Sequence, residues 1–231
     1  MATNKFIQNN RREFIGKVTG AAALIGVTSM VSPVKANSGT RLFTGTITDP
    51  DEWFASIKGK HRMVFDCPEA EDIFPLAMPK VFLMTNGATG TPDKDCSVVV
   101  VLRHNGFVYS LNDSMWAKYK LGERSKINDP RTNTPALRNP FSQPKPDDFK
   151  LPGVGAVPLG INDLQAQGVM FCVCSVALGV QSAVTAMKMN LDPEIVKKEW
   201  FDNLVPGVQP MPSGVWAVGR AQEHGCAYCH V

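Results

Sequence analysis

The stretch Cys96-Ser97-Val98-Val99-Val100-Val101-Leu102-Arg103 places five branched apolar residues in a row, from Val98 to Leu102. Polar and apolar side chains do not alternate along it, which is typical of a strand that is buried on both faces of a parallel sheet. The run ends at His104-Asn105-Gly106, where the polarity changes abruptly. We therefore predict a central β-strand over this stretch.

Segments on both sides of this strand alternate between strand and helix patterns. Short β-prone runs predict four further strands, at 61–67, 168–174, 208–211 and 226–230. Apolar spacing and capping residues predict helices at 69–86, 112–119, 175–190, 193–200 and 214–223, although Pro75 and Pro79 argue against a straight first helix. Regular alternation of this kind predicts an α/β fold with three α/β/α layers and a mainly parallel sheet of about five strands.

In an open parallel sheet, functional residues collect at the carboxyl ends of the strands. The predicted strands end at or near Cys67, His104, Cys174 and the pair Pro212-Ser213. We therefore expect these residues to share one edge of the sheet.

The first 36 residues have the features of an export signal. Arg11 and Arg12 precede Phe14, and the apolar, glycine-containing run 18–31 is followed by Val34-Lys35-Ala36, which suits a signal peptidase. The run is too short to form a stable membrane span, which makes a retained transmembrane helix the weaker alternative. We predict a twin-arginine signal peptide at 1–36, cleaved to leave a periplasmic protein with no membrane association.

Removing this peptide changes the charge balance, because it holds five of the 24 lysines and arginines but only one of the 21 acidic residues. The remaining chain is close to neutral, which excludes a strongly basic nucleic-acid-binding protein. Residues 37–231 suit a single domain. Prolines recur between 129 and 158, so we predict a proline-rich loop at about 120–160 within that domain.

Several short motifs, in their order and spacing, resemble the DsrE/DsrF-like family of sulfur-relay proteins. They are Gly168-Val169-Met170-Phe171-Cys172-Val173-Cys174, Val205-Pro206-Gly207, Pro212-Ser213-Gly214-Val215 and the ending Gln222-Glu223-His224-Gly225-Cys226-Ala227-Tyr228. The resemblance covers about residue 61 to the end. It implies a compact α/β domain that assembles as a homo- or hetero-oligomer, in which some members carry a persulfide. Cys174 matches the family's cysteine position.

The chemistry expected of Cys174 has a physical basis, because a thiolate at a strand end faces free backbone N–H groups and the positive end of a helix dipole. We expect the N–H groups of Ser175 and Val176 to serve this role. The alternative is a small side chain that packs beneath the helix. Cys172, two residues earlier, should point to the same face as Cys174, at greater depth. His104 could tune or protonate the thiol, or serve only as a hydrogen-bonded structural residue.

The ending Cys226-x-x-Cys229-His230 matches the attachment pattern of covalent haem c, in which both sulfurs form thioethers and His230 is the axial ligand. A strand would point the two cysteines in opposite directions, which opposes haem attachment. A redox disulfide, a zinc site formed by the same three residues and joined by His224, and plain structural thiols remain alternatives. Cys67 and Cys96 lack a motif, and we expect both thiols to be free.

Three functional classes follow from these residues. The first is a periplasmic thiol protein that carries a persulfide, or binds a sulfur compound, at Cys174, with sulfurtransferase-like activity and a sulfur donor, acceptor or redox partner protein. The second is a haem c electron carrier through Cys226, Cys229 and His230. The third is a non-catalytic oligomeric binding module. We favour the first, and no phosphate loop or carboxylate pair supports a hydrolase or a nucleotide-binding protein.

Overall fold

The sheet is built around the predicted central strand. The computed structural model describes residues 49–151 and 153–231. The predicted signal peptide at 1–36 lies outside the described residues. The strands of the main sheet are β1 His61–Cys67, β2 Cys96–Leu102, β5 Met170–Cys174, β6 Val208–Met211 and β7 Ala227–His230, while β3 Lys150–Leu151 and β4 Gly155–Ala156 form a separate antiparallel pair. The five strands pair in the order β6-β5-β2-β1-β7, and every neighbouring pair is parallel.

Helices connect the strands and cover both faces of the sheet. They are α1 Phe74–Ala88, α2 Asp113–Tyr119, α3 Leu121–Ser125, α4 Ile161–Ala166, α5 Ser175–Met189, α6 Pro193–Asp202 and α7 Gly214–Glu223, with 3₁₀ turns at Glu52–Ser56, Asp93–Asp95 and His104–Ser110. The predicted three-layer α/β/α class is therefore confirmed. Among the described residues, no helix is both long enough and apolar enough to span a membrane.

Two apolar cores lie on opposite faces of the sheet, and they differ in size. The larger core packs Val98 and Val100 against side chains such as Leu178 and Trp200 from the helices α5 and α6. The smaller core lies beneath α7 and the 3₁₀ turn Glu52–Ser56, and it includes Val99 of the central strand. Alternate valines of β2 thus serve both cores, which explains why the run from Val98 to Leu102 contains no polar residue.

Side-chain oxygen atoms cap the starts of three helices. Asn112, Asp192 and Ser213 each accept a hydrogen bond from backbone N–H groups in the first turn, at α2, α6 and α7 respectively. The first helix departs from the prediction, since α1 begins at Phe74 and not at residue 69. Pro75 lies in the first turn, where a missing N–H costs nothing, and Pro79 removes one bond from the helix interior.

The proline-rich segment packs onto the domain. Phe141 and Phe149 stack with ring centroids 5.4 Å apart and are buried in the larger core. The amide Nδ2 of Asn139 donates to the carbonyl oxygens of Tyr109 (2.9 Å) and Leu111 (2.8 Å). These contacts hold the segment against the residues that follow β2.

Candidate functional site

A cleft of about 270 Å³ opens at the carboxyl edge of the sheet, between the N-terminal ends of α5 and α7. Its polar lining comes from Arg103, His104, Cys174, Gln181 and Ser213, and the remaining walls are largely aliphatic. Three of the four positions predicted to share this edge therefore meet in one cleft. The fourth, Cys67, ends β1 and is fully buried.

Cys174 is the last residue of β5 and the N-cap of α5. Its Sγ accepts a hydrogen bond from the backbone N–H of Ala177 at 3.2 Å, and 7% of the residue is exposed. The expected donors were Ser175 and Val176, but the observed donor is Ala177, the third amide of the helix, which an N-cap side chain can reach. The 15-residue helix α5 directs the positive end of its dipole at the sulfur.

Cys172 lies deeper, in the smaller core, with no exposed surface. Burial raises its pKa far above the ordinary value, and the neighbouring Cys174 adds to the shift. The expectation that both cysteines share a face was wrong, because Cys174 packs with the larger core. The Cys174 sulfur caps α5, whereas Cys172 is a fully buried thiol.

His104 follows the central strand and has a left-handed backbone with φ of 48°. Its Nδ1 lies 3.0 Å from Oε1 of Glu69, whose other carboxylate oxygen accepts from Asn105 at 2.7 Å. These two hydrogen bonds, with that of Asn105 the larger influence, lower the pKa of Glu69. His104 therefore lines the same cleft as Cys174 and is anchored by a carboxylate outside it.

Arg103 is a cleft residue that the sequence did not predict. Its Nε and Nη2 bond the two carboxylate oxygens of Asp66 at 2.5 and 2.8 Å, and the Tyr228 hydroxyl donates to the same carboxylate at 2.9 Å. The Asp66 hydrogen bond raises the pKa of Arg103, with a smaller contribution from Cys174. A Cβ on Gly214 would lie 2.4 Å from that of Arg103, so only glycine admits this approach. The sequence did contain a signal for this pair. Asp66 lies inside a predicted buried strand, and a buried charge needs a partner of opposite charge.

The terminal cysteines lie on opposite faces of the sheet. Cys226 is buried in the smaller core, whereas Cys229, on β7, packs against the larger one. Burial raises the pKa of Cys226 to about 11, and His230 is exposed. Two thioethers to one haem need both sulfurs on one side, so these residues do not fit haem c while β7 is paired with β1.

Two further expectations from the sequence concern a zinc site and the thiols of Cys67 and Cys96. Within residues 49–151 and 153–231, no group of three His, Cys, Asp or Glu side chains has the geometry to hold a metal ion. The register pairs Cys96 with His61 at the start of β1, and Cys67 with Leu102 at the end of β2. Cys67 and Cys96 therefore lie at opposite edges of the sheet, and both are free thiols.

Comparison with known proteins adds little to this geometry. No protein-family model matches the chain, and no curated protein matches it. A solved structure of a protein of unknown function from Methanobacterium thermoautotrophicum is similar, with 19% sequence identity and a TM-score of 0.40. The match covers 74% of this chain and 100% of that one.

Proposed function

We propose that this chain is a DsrE/DsrF-like thiol protein that carries sulfane sulfur as a persulfide on Cys174. The observation that carries the proposal is the position of its sulfur, which caps a long helix at the wall of a cleft and accepts the Ala177 N–H. Thiols at helix N-termini are the ones whose thiolates are stabilised and reactive.

The proposed sulfur transfer needs no external oxidant, because the donor persulfide already contains sulfane sulfur. The Cys174 thiolate attacks the outer sulfur of a donor persulfide, and the donor's S–S bond breaks as the new S–S bond forms. The electron pair leaves with the donor sulfur as a thiolate, and Cys174 holds the persulfide. An acceptor thiolate reverses the process and regenerates Cys174. Arg103, whose guanidinium is paired with Asp66, lines the same cleft as the sulfur.

The test is loading with glutathione persulfide followed by intact mass measurement. We expect a gain of about 32 Da that a reductant removes and that Cys174→Ser abolishes. Cys229→Ser is the control, because Cys229 is a more exposed thiol of the same sheet and lies outside the cleft. Equal loading of wild type and Cys174→Ser would exclude Cys174 as the carrier.

A non-catalytic binding module is the second candidate, and one observation favours it. Val176, Val180 and Val215 surround the cleft with between 41% and 69% of their surface exposed. Exposed apolar side chains around a site are typical of surfaces that bind other proteins. This supports the proposal of a partner protein or a second copy of the chain at the cleft. An unmodified mass after loading would favour this candidate.

Export by the twin-arginine route is also a proposal, and it rests on Arg11, Arg12 and the apolar run behind them. We expect replacing both arginines by lysine to leave the full-length chain in the cytoplasm. Cell fractionation with an antibody against the chain measures this, and Lys5→Gln is the matched control. Unchanged periplasmic accumulation of the double variant would overturn the proposal.

A further inference from the structure

A second cavity, of about 460 Å³, lies beside the Cys174 cleft. Asn105, Phe107 and Arg124 form part of its lining, and Glu69, Glu71 and Lys126 supply further charges. Two positive and two negative side chains thus face one space. The proposed sulfur transfer does not use any of them.

Arg124 is the unusual member of this group. Its Nη1 donates to Oγ1 of Thr185 at 2.5 Å, its Nη2 donates to Oε1 of Gln181, and its guanidinium lies 5.3 Å from the Phe107 ring centroid. Within the described part of the chain, no carboxylate forms an ion pair with it. Burial lowers its pKa, as expected for a guanidinium that loses water without gaining an anion.

A thin wall separates this cavity from the cleft. Gln181 lines the cleft and Asn105 lines the cavity, and the amide Nε2 of Gln181 reaches Oδ1 of Asn105 at 3.4 Å. That distance is long for a hydrogen bond. His104 lines the cleft next to Asn105 in the chain, and Glu69 bonds both residues. The two spaces are therefore neighbours along one surface.

We infer that the second cavity binds the zwitterionic α-amino-acid end of a low-molecular-weight thiol or persulfide, whose sulfur then reaches Cys174. The guanidinium of Arg124 retains N–H groups that can pair with the ligand's carboxylate in a planar arrangement. Glu71, which is exposed, faces the same cavity and can accept from the ligand's ammonium group. This inference rests on the proposed function, since it names the donor or acceptor class for Cys174.

The test uses S-methylglutathione, an unreactive thioether, and calorimetry on the full chain in the Cys174→Ser background. We expect saturable binding that Arg124→Gln weakens by about tenfold or more and that Glu71→Gln also weakens. Glu123→Gln is the control, because this exposed carboxylate is adjacent to Arg124 in the chain but lies outside the cavity. Uncharged 2-(methylthio)ethanol should not bind.

Two further measurements distinguish a failure of this inference from misfolding of a variant and from a failure of the proposed function. If Arg124→Gln does not fold, Glu71→Gln and Arg124→Lys carry the test, since the first alters only an exposed side chain and the second keeps the charge. Loading of Cys174 from inorganic polysulfide reports on the proposed function alone. Binding that both cavity variants leave unchanged, or no binding by the parent, overturns the inference whatever the loading result. Weakened binding with normal loading supports it.

Discussion

The pair of Arg103 and Asp66 joins the ends of two neighbouring strands at the cleft. Asp66 is 3% exposed, so removing the arginine leaves a buried carboxylate whose one remaining side-chain partner among the described residues is Tyr228. We expect Arg103→Met to lower the free energy of unfolding by roughly 3 kcal/mol. The measurement is urea denaturation at pH 7.

A double variant separates the contribution of the Arg103–Asp66 ion pair from that of side-chain packing. Combining Arg103→Met with Asp66→Asn removes both charges and retains an acceptor for the Tyr228 hydroxyl. We expect more than half of the lost stability to return, because the penalty of an unpaired buried charge disappears. A double variant as unstable as Arg103→Met would show that the lost stability does not come from an unpaired buried carboxylate.

The pairing of β7 in the sheet determines whether the terminal Cys-x-x-Cys-His motif can hold haem c. Cys226 and Cys229 pack into different cores on the two faces of the sheet. We therefore expect no covalent haem when the chain is exported in a host that matures c-type cytochromes. A Soret band that persists in the denatured protein, and a mass gain of one haem, would contradict this expectation and would require β7 to leave the sheet.

The strands and helices were largely predictable because their signals are local. The valines of β2 and the caps Asn112, Asp192 and Ser213 each act within a few residues, and strand alternation also indicated the opposed directions of Cys226 and Cys229. The start of α1 was missed, because two prolines compete with the apolar spacing.

The candidate site was less predictable, because its contacts join distant parts of the chain. Asp66 and Arg103 are 37 residues apart, and Arg124 and Gln181 are 57 apart. The pattern of apolar residues and the spacing of motifs along the chain do not indicate contacts between residues so far apart in sequence. Parallel topology placed His104, Cys174 and Ser213 at one edge, but the charges around them follow from tertiary packing.

Buried thiols make the stability of the whole molecule depend on alkaline pH. Burial raises the pKa values of Cys67 and Cys172 above those of the unfolded chain. The folded state therefore keeps protons that the unfolded state releases, so this stability is fully present below about pH 8.5 and declines as the pH rises. We expect the urea midpoint to fall between pH 8 and 10, and Cys172→Ala to reduce the slope. A midpoint constant over this range would contradict the burial of both thiols.

The backbone of His104 sets a limit on how this edge of the sheet can change. A left-handed φ of 48° costs a residue with a Cβ about 1 kcal/mol, and glycine escapes this cost. Random substitution followed by selection for thermal stability alone should therefore drift towards glycine at this position. Retention of the imidazole under selection for sulfur carriage would show that the ring contributes more to fitness than the relaxed turn.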